Sequence, residues 1–128
     1  MMRIKLPINQ ATLMQCSSDE FIEVSAQAGF TAVEFRMDRL QETLSHQPYK
    51  KLSHLIANHG LTVPAVNGLD GATFVPEDNL DLLKKECELV GRVCEMIEAP
   101  WVISPSALWR SADGPFPPAE CIIAELLH

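Results

Sequence analysis

The sequence predicts an α/β fold of parallel strands covered by helices, and three observations carry that expectation. Short apolar runs suited to strands alternate with helical periods along the chain. A junction of helix, Gly, Phe or Leu, Thr and then Val occurs twice, as Gly29-Phe30-Thr31-Ala32-Val33 and as Gly60-Leu61-Thr62-Val63, 31 residues apart. A third strand entry follows at Ala99-Pro100-Trp101. Units of this length need crossover connections, which make the sheet parallel and place helices over it. Four strands in 128 residues leave about 32 residues per unit, and eight such units would approach the ~250 residues of a closed (β/α)8 barrel. The expected architecture is one domain over 1–128 that supplies the first half, about four strands, of a TIM barrel truncated at its C-terminus.

The first strand is read from the alternation of Ile4, Leu6 and Ile8, with a polar loop through Asn9, Gln10 and Thr12 behind it. Ser17 stands three residues before Glu20, so its hydroxyl can take the Glu20 amide while the carboxylate reaches back; a helix is expected over about 18–28. Phe21, Val24, Ser25 and Ala28 would share its inner face, and Gly29 sits where a left-handed closing residue costs least. Residues 30–36 are rich in aromatic and β-branched types and read as the second strand, ending near Glu34 to Arg36. The piece 37–44 reads as an added turn of helix. Pro48 suits the first position of the next helix, which continues through Leu52, Leu55 and Ile56 to Gly60. The third strand spans 61–68, with Pro64 removing one ladder donor and Asn67-Gly68 at its polar end.

The longest periodic segment is 77–98, with Leu80, Leu83, Cys87, Val90 and Cys94 on one stripe and Glu77, Asp78 and Asp81 at the positive N-terminal end. Pro100-Trp101-Val102-Ile103 reads as the fourth strand, 104–118 as a long loop, and 119–128 as a last helix opening after two prolines.

Composition narrows the function classes. Apolar residues make up 47% of the chain, yet no run reaches the ~20 residues of a membrane helix and no signal-peptide core forms after Met1. A cytoplasmic protein without a membrane partner is expected. Ten Lys and Arg against 17 Asp and Glu give a net charge of −7, a field that repels phosphate backbones, so no nucleic-acid partner is expected. Cys16, Cys87, Cys94 and Cys121 form no CxxC pair, which argues against a disulfide framework or a structural zinc. A small open, doubly wound sheet remains the rival architecture. Its phosphate-binding form carries a Gly-rich turn after the first strand, whereas Asn9-Gln10-Ala11-Thr12 has no glycine, and no GxxxxGK[ST] loop is present.

Three stretches together resemble a known family: Ile8-Asn9-Gln10-Ala11-Thr12, Ala28-Gly29-Phe30-Thr31-Ala32-Val33-Glu34, and Gly60-Leu61-Thr62-Val63. The chain resembles, over about 3–106, the N-terminal half of the xylose-isomerase-like (β/α)8 barrels, which include sugar and sugar-phosphate isomerases and epimerases and family 2 AP endonucleases. The resemblance implies a divalent ion (manganese, magnesium, cobalt or zinc) held in the full-length form by glutamates, an aspartate and a histidine or glutamine. That ion assists proton transfer between adjacent carbons of a sugar or sugar acid. Those ligands belong mainly to the second half of the barrel, so no catalytic residue, metal ligand or bound cofactor is carried over to this chain, which is expected to be inactive alone. Repair members add histidines at the ends of strands three and four, where this sequence has Asn67 and Ser104-Pro105-Ser106.

Barrel chemistry sits at the C-terminal ends of strands, which singles out Asn9, Glu34, Arg36, Asn67, Ser104 and Ser106. Asn9, Glu34, Arg36, Asn67 and Ser106 are the expected substrate-binding residues. Glu34, a carboxylate on an apolar strand, either contacts a polyol or pairs with Arg36 or another cation. Arg36 has the planar fork that receives a phosphate or carboxylate. Asn9 and Asn67 offer both donor and acceptor to sugar hydroxyls, or cap a turn. Trp109 either stacks on a sugar or covers the barrel mouth. His46, His54 and His59 read as surface residues, and Cys87 and Cys94 as small buried apolar side chains. Two further readings stand beside the isomerase one. A non-catalytic half-barrel would self-associate or pair with the missing half to cover its open edges, and a four-stranded sheet would serve as a small α/β binding module.

Overall fold

The computed structural model describes residues 6–69, 72 and 75–105. Ile4, Ser106, Trp109, Cys121, most of the expected long loop and the expected last helix lie outside the described residues. The described elements alternate as expected: β1 (Pro7–Asn9), α1 (Ser18–Gln27), β2 (Ala32–Arg36), α2 (Met37–His46), α3 (Tyr49–Asn58), β3 (Ala65–Asn67), α4 (Leu80–Met96) and β4 (Trp101–Ile103). Short 3-10 turns precede α1 at Gln10–Leu13 and α4 at Glu77–Asn79.

Helix α1 starts as the sequence implies. Ser17 Oγ accepts the Glu20 N–H at 3.2 Å and Glu20 Oε2 accepts the Ser17 N–H at 2.8 Å, a complete capping box. Three of the four helices end in one geometry. After α1 the Phe30 N–H donates to the Ser25 carbonyl and the Gly29 N–H to Ala26, at 3.1 and 3.0 Å. After α3 the Leu61 and Gly60 amides donate to Ile56 and Ala57, at 3.1 and 2.9 Å, and after α4 the Ala99 and Glu98 amides donate to Cys94 and Glu95, at 2.8 and 3.3 Å. Each pair is the two-bond closure that needs a left-handed residue, here Gly29 (φ 90°), Gly60 (φ 65°) and Glu98 (φ 57°). The repeat therefore has a third copy. Its closing residue is a glutamate, so glycine spacing alone does not reveal it.

All strand pairs are parallel and the order is β1-β2-β3-β4. Val33, Phe35 and Val66 are fully buried against Phe21, Leu40, Leu52, Val90 and Val93 from the helices, and the Phe21 and Phe35 rings meet edge to face at 5.7 Å. Such a ring pair adds about 1 kcal/mol beyond its buried area. Strand residues alternate between faces and register partners share one. The other, concave face therefore carries Asn9, Glu34, Arg36 and Asn67 together with Ala32, Ala65, Trp101 and Ile103.

Several local expectations are corrected. The segment after β2 is a ten-residue helix, Met37–His46, rather than a single turn, because Leu40 plugs into the core as part of an amphipathic face. Pro48 is the N-cap, with ψ 146°, and not the first helical residue. The buried face of α1 is Ser18, Phe21, Ile22 and Ser25, leaving Val24 and Ala28 exposed. On α4 the stripe is buried only in the C-terminal half, at Val90, Val93 and Cys94. Leu80 and Cys87 are exposed. The third strand narrows to Ala65–Asn67, starting directly after Pro64, which has no ladder donor to give. Among the described residues no helix is long and apolar enough to cross a membrane.

Candidate functional site

Asn9 ends β1, Arg36 ends β2 and Asn67 ends β3, so the chain turns leave these side chains at the C-terminal rim of the concave face. Asn9 and Glu34 are register partners, and the Asn9 Nδ2 donates to Glu34 Oε2 at 3.1 Å. Asn9 Oδ1 also accepts the Ala11 N–H at 2.8 Å, capping the 3-10 turn and orienting the amide toward Glu34. Asn9 is thus a turn cap that also stands on the concave rim. Glu34 is half-buried, with its carboxylate held by a neutral donor.

Arg36 is opposite Asn67 in the ladder. Its Nε and Nη2 fork onto Asp38 Oδ1 and Oδ2, each at 3.1 Å, and Asp38 Oδ1 also accepts the Arg39 N–H at 2.9 Å. The hydrogen bond from Arg36 holds the Asp38 carboxyl below its ordinary value, with the Arg39 amide and both positive charges acting in the same direction against partial burial.

Behind the rim lies a polar residue that sequence reading left in a loop. Gln10 is fully buried; its Oε1 accepts the Arg36 N–H at 3.0 Å and its Nε2 donates to Ser18 Oγ at 3.1 Å. Thr43 Oγ1 bonds the same Ser18 oxygen at 2.7 Å, so one buried network joins the end of β1, the last residue of β2 and the helices α1 and α2. A glutamine directly after a strand carries no mark in sequence that separates this role from a solvated loop.

Of the expected substrate-binding set, the structure brings Asn9, Glu34, Arg36 and Asn67 to one face, and Ser106 lies outside the described residues. Ser104 Oγ donates to the Leu69 carbonyl at 2.9 Å, fastening the segment after β4 to the one after β3. His46, His54 and His59 are exposed, as expected, while of the two helical cysteines only Cys94 is buried, which pushes its thiol up.

A small groove of about 190 Å³ lies at the same end of the sheet, lined by Asn67, Gly68, Asp38 and Val90 among others. A groove of about 750 Å³ lies at the opposite end, between α3 and α4 beneath β3 and β4. Its location at the N-terminal strand ends reads as a gap in helix packing, since barrel chemistry belongs to the other face. Among the described residues no group of three or more His, Cys, Asp or Glu is placed to hold a metal ion. With Glu34 held by an amide and Asp38 by a guanidinium, the described residues do not fit a divalent-cation site.

These features define a parallel (β/α) half-barrel whose concave rim is polar. No family model matches the sequence, and no curated protein matches it. Solved structures do. The chain is similar to the IolI protein with a bound zinc atom, at 20% identity and TM-score 0.78, over 97% of this chain and 46% of that one. It is similar to a xylose isomerase domain containing protein from Salmonella typhimurium LT2, at 20% identity and TM-score 0.74, over 97% and 44% of the two chains. A third is the probable 3-DHS dehydratase AsbF of petrobactin synthesis from Bacillus anthracis, at 13% identity and TM-score 0.69, over 86% and 41%. The fold is that of one half of a TIM barrel, and the chain spans less than half the length of these structures.

Proposed function

We propose that the chain forms the substrate-binding wall of a (β/α) barrel acting on a sugar or sugar acid. In this reading the barrel is an isomerase or epimerase that moves a proton between adjacent carbons. The observation that supports it is the convergence of Asn9, Glu34, Arg36 and Asn67 on one concave rim at the strand ends. Glu34 accepts from ligand hydroxyls, and the two amides each offer a donor and an acceptor. The divalent ion of such enzymes, and the groups that transfer the proton, come from polypeptide other than the described residues, so the chain alone is inactive.

The test is to titrate the 128-residue chain with neutral and acidic monosaccharides while following the Asn9 and Asn67 side-chain amides by NMR, and to assay isomerisation with added manganese. Saturable shifts that are lost in Glu34→Ala, without turnover, are expected. No shift at millimolar sugar defeats the binding reading, and turnover at ordinary enzyme rates defeats the claim of inactivity.

A second reading is favoured by the exposed side of the sheet. Trp101 is 72% exposed on the concave face, and Val102 and Ile103 are exposed beside it on the last described strand. Large apolar side chains on an edge strand favour a further half-barrel, a copy or a different chain, docking there. Sedimentation of the chain at high concentration tests this, and a well-folded monomer would count against it.

A further inference from the structure

We propose that Gln10 and Arg39 are the positioning residues of the rim: from two ends they clamp the segment 10–17, which joins β1 to α1, onto the start of α2, and so hold the Asn9 amide against Glu34. The consequence for ligand binding rests on the reading of the concave rim as the substrate face. The clamp itself rests on hydrogen bonds alone.

The first clamp begins in the ladder. With Asn9 opposite Glu34, and the Val33 N–H turned to Thr62 on the other side, the next amide facing β1 is that of Arg36. Its main-chain acceptor would be the carbonyl of residue 10, but the backbone leaves the strand there for the 3-10 turn Gln10–Leu13. Gln10 supplies its side-chain oxygen instead, 3.0 Å from the Arg36 nitrogen. Its amide nitrogen donates to Ser18 Oγ, and Thr43 Oγ1 stands 2.7 Å from that oxygen and 2.9 Å from the Arg39 carbonyl. A carbonyl only accepts, so Thr43 gives its one proton to Arg39 and Ser18 donates to Thr43. The chain that leaves α2 at its N-cap Arg36 therefore returns to it at Arg39, with every proton matched to one acceptor.

The second clamp is the Arg39 side chain. Its Nη2 donates to the Met14 carbonyl and, at 3.4 Å, to that of Cys16, while Nη1 is fixed by Glu42 at 2.8 Å. The segment needs both clamps. Gln10 is the one buried side chain of 10–17, so burial anchors only its first residue. The base for both is firm, because β2 runs into α2 with no residue between them and β2 is paired on each side. Asn9 Oδ1 accepts the Ala11 N–H inside the clamped segment, so a displacement of 10–17 turns the Asn9 amide away from Glu34. A binding group works only within about 0.5 Å of its productive place. Gln10 and Arg39 keep Asn9 there without themselves touching a ligand.

The experiment uses the full chain and follows the Asn9 side-chain amide and the Glu34 carboxyl by NMR in the folded state. Gln10→Met keeps the length of the side chain and removes both of its bonds, and Arg39→Met keeps the stem and removes the guanidinium. Each is expected to displace the Asn9 and Glu34 resonances and to weaken binding of D-glucose and D-glucuronate by about tenfold. Gly60→Ala, in the closure after α3, is the control; it should lose stability and leave both resonances in place. Gln10→Glu is the conservative rescue, because a protonated acid offers the same acceptor and donor as the amide and burial favours the protonated form. It should match the wild-type resonances at about pH 5 and depart from them by about pH 8. If Gln10→Met does not fold, Ser18→Ala cuts the chain between Gln10 and Thr43 and should give a smaller displacement of the same resonances. Wild-type resonances in folded Gln10→Met, or in Arg39→Met, overturn the role of that residue, and an equal displacement by Gly60→Ala overturns both. If no sugar shifts the wild-type rim, the substrate reading falls, and the resonances of the variants still decide the clamp.

Discussion

The Asn9 amide donates to the Glu34 carboxylate across 3.1 Å, joining the ends of two strands whose residues lie 25 apart in the chain. The bond uses a neutral amide donor, from the residue opposite Glu34 in the ladder. Asn9→Asp would replace that donor with a second carboxylate while keeping an acceptor for the Ala11 N–H. Two acids at that distance cannot both ionise freely, and the folded-state pKa of the pair rises. An acid whose folded pKa is raised destabilises the fold above that range. Asn9→Asp should therefore match the wild type near pH 3 and fall behind by about 1 kcal/mol at neutral pH, measured by urea unfolding at the two pH values.

Gln10 is fully buried with both ends of its amide hydrogen-bonded. Gln10→Leu would keep the volume but leave the buried Arg36 N–H without its acceptor. An orphaned buried amide costs about 1–3 kcal/mol, and urea unfolding should show that loss together with faster hydrogen exchange of the Arg36 amide.

The three left-handed closures predict opposite signs for exchanging glycine and non-glycine residues. Glu98 holds φ 57° with a side chain that makes this conformation costly, so Glu98→Gly should stabilise the chain by about 1 kcal/mol. Gly60→Ala, at φ 65° with open space around the added methyl, should destabilise by a similar amount through backbone strain alone. Thermal unfolding of both variants checks the pair.

Gly68 is constrained by packing instead. A Cβ there would stand 3.2 Å from Met37 Cβ and 3.3 Å from both Val90 methyls, where β3 passes between α2 and α4. Gly68→Ala should cost about 1–3 kcal/mol by overpacking and should shift the resonances of Met37 and Val90. Intact stability would show that the helices can move apart.

The lowered pKa of Asp38 fixes the sign of one pH effect. A carboxyl whose folded value lies below its ordinary 3.8 adds stability above that value and loses it as pH falls through the folded value. The gap between wild type and Asp38→Asn should therefore be present at neutral pH and close as the pH falls through the folded value. Because the pair is exposed, the gap should stay under about 1 kcal/mol and shrink with added salt. Acid unfolding at low and high salt measures both trends.

Much of this was legible in the residues. The parallel strand-helix alternation, the Ser17–Glu20 capping box, the left-handed Gly29 and Gly60, and the candidates Asn9, Glu34, Arg36 and Asn67 were all found where the sequence places them. The choice of partners was not legible. Between Glu34 and a cation, or Arg36 and a ligand, the sequence left the alternatives open. The fold gave Glu34 the Asn9 amide and Arg36 the Asp38 carboxylate.

What the sequence determines by itself is set by interactions that close within about four or five residues, such as caps, left-handed turns and alternating periods. Tertiary structure alone decided that Gln10 is buried, that Val24, Leu80 and Cys87 face outward, and that four polar residues from three strands share one rim. The reason is register. Which face a side chain takes, and whom it meets, depends on how strands 25 to 36 residues apart align, and a slip of one residue would turn every one of those side chains to the other face.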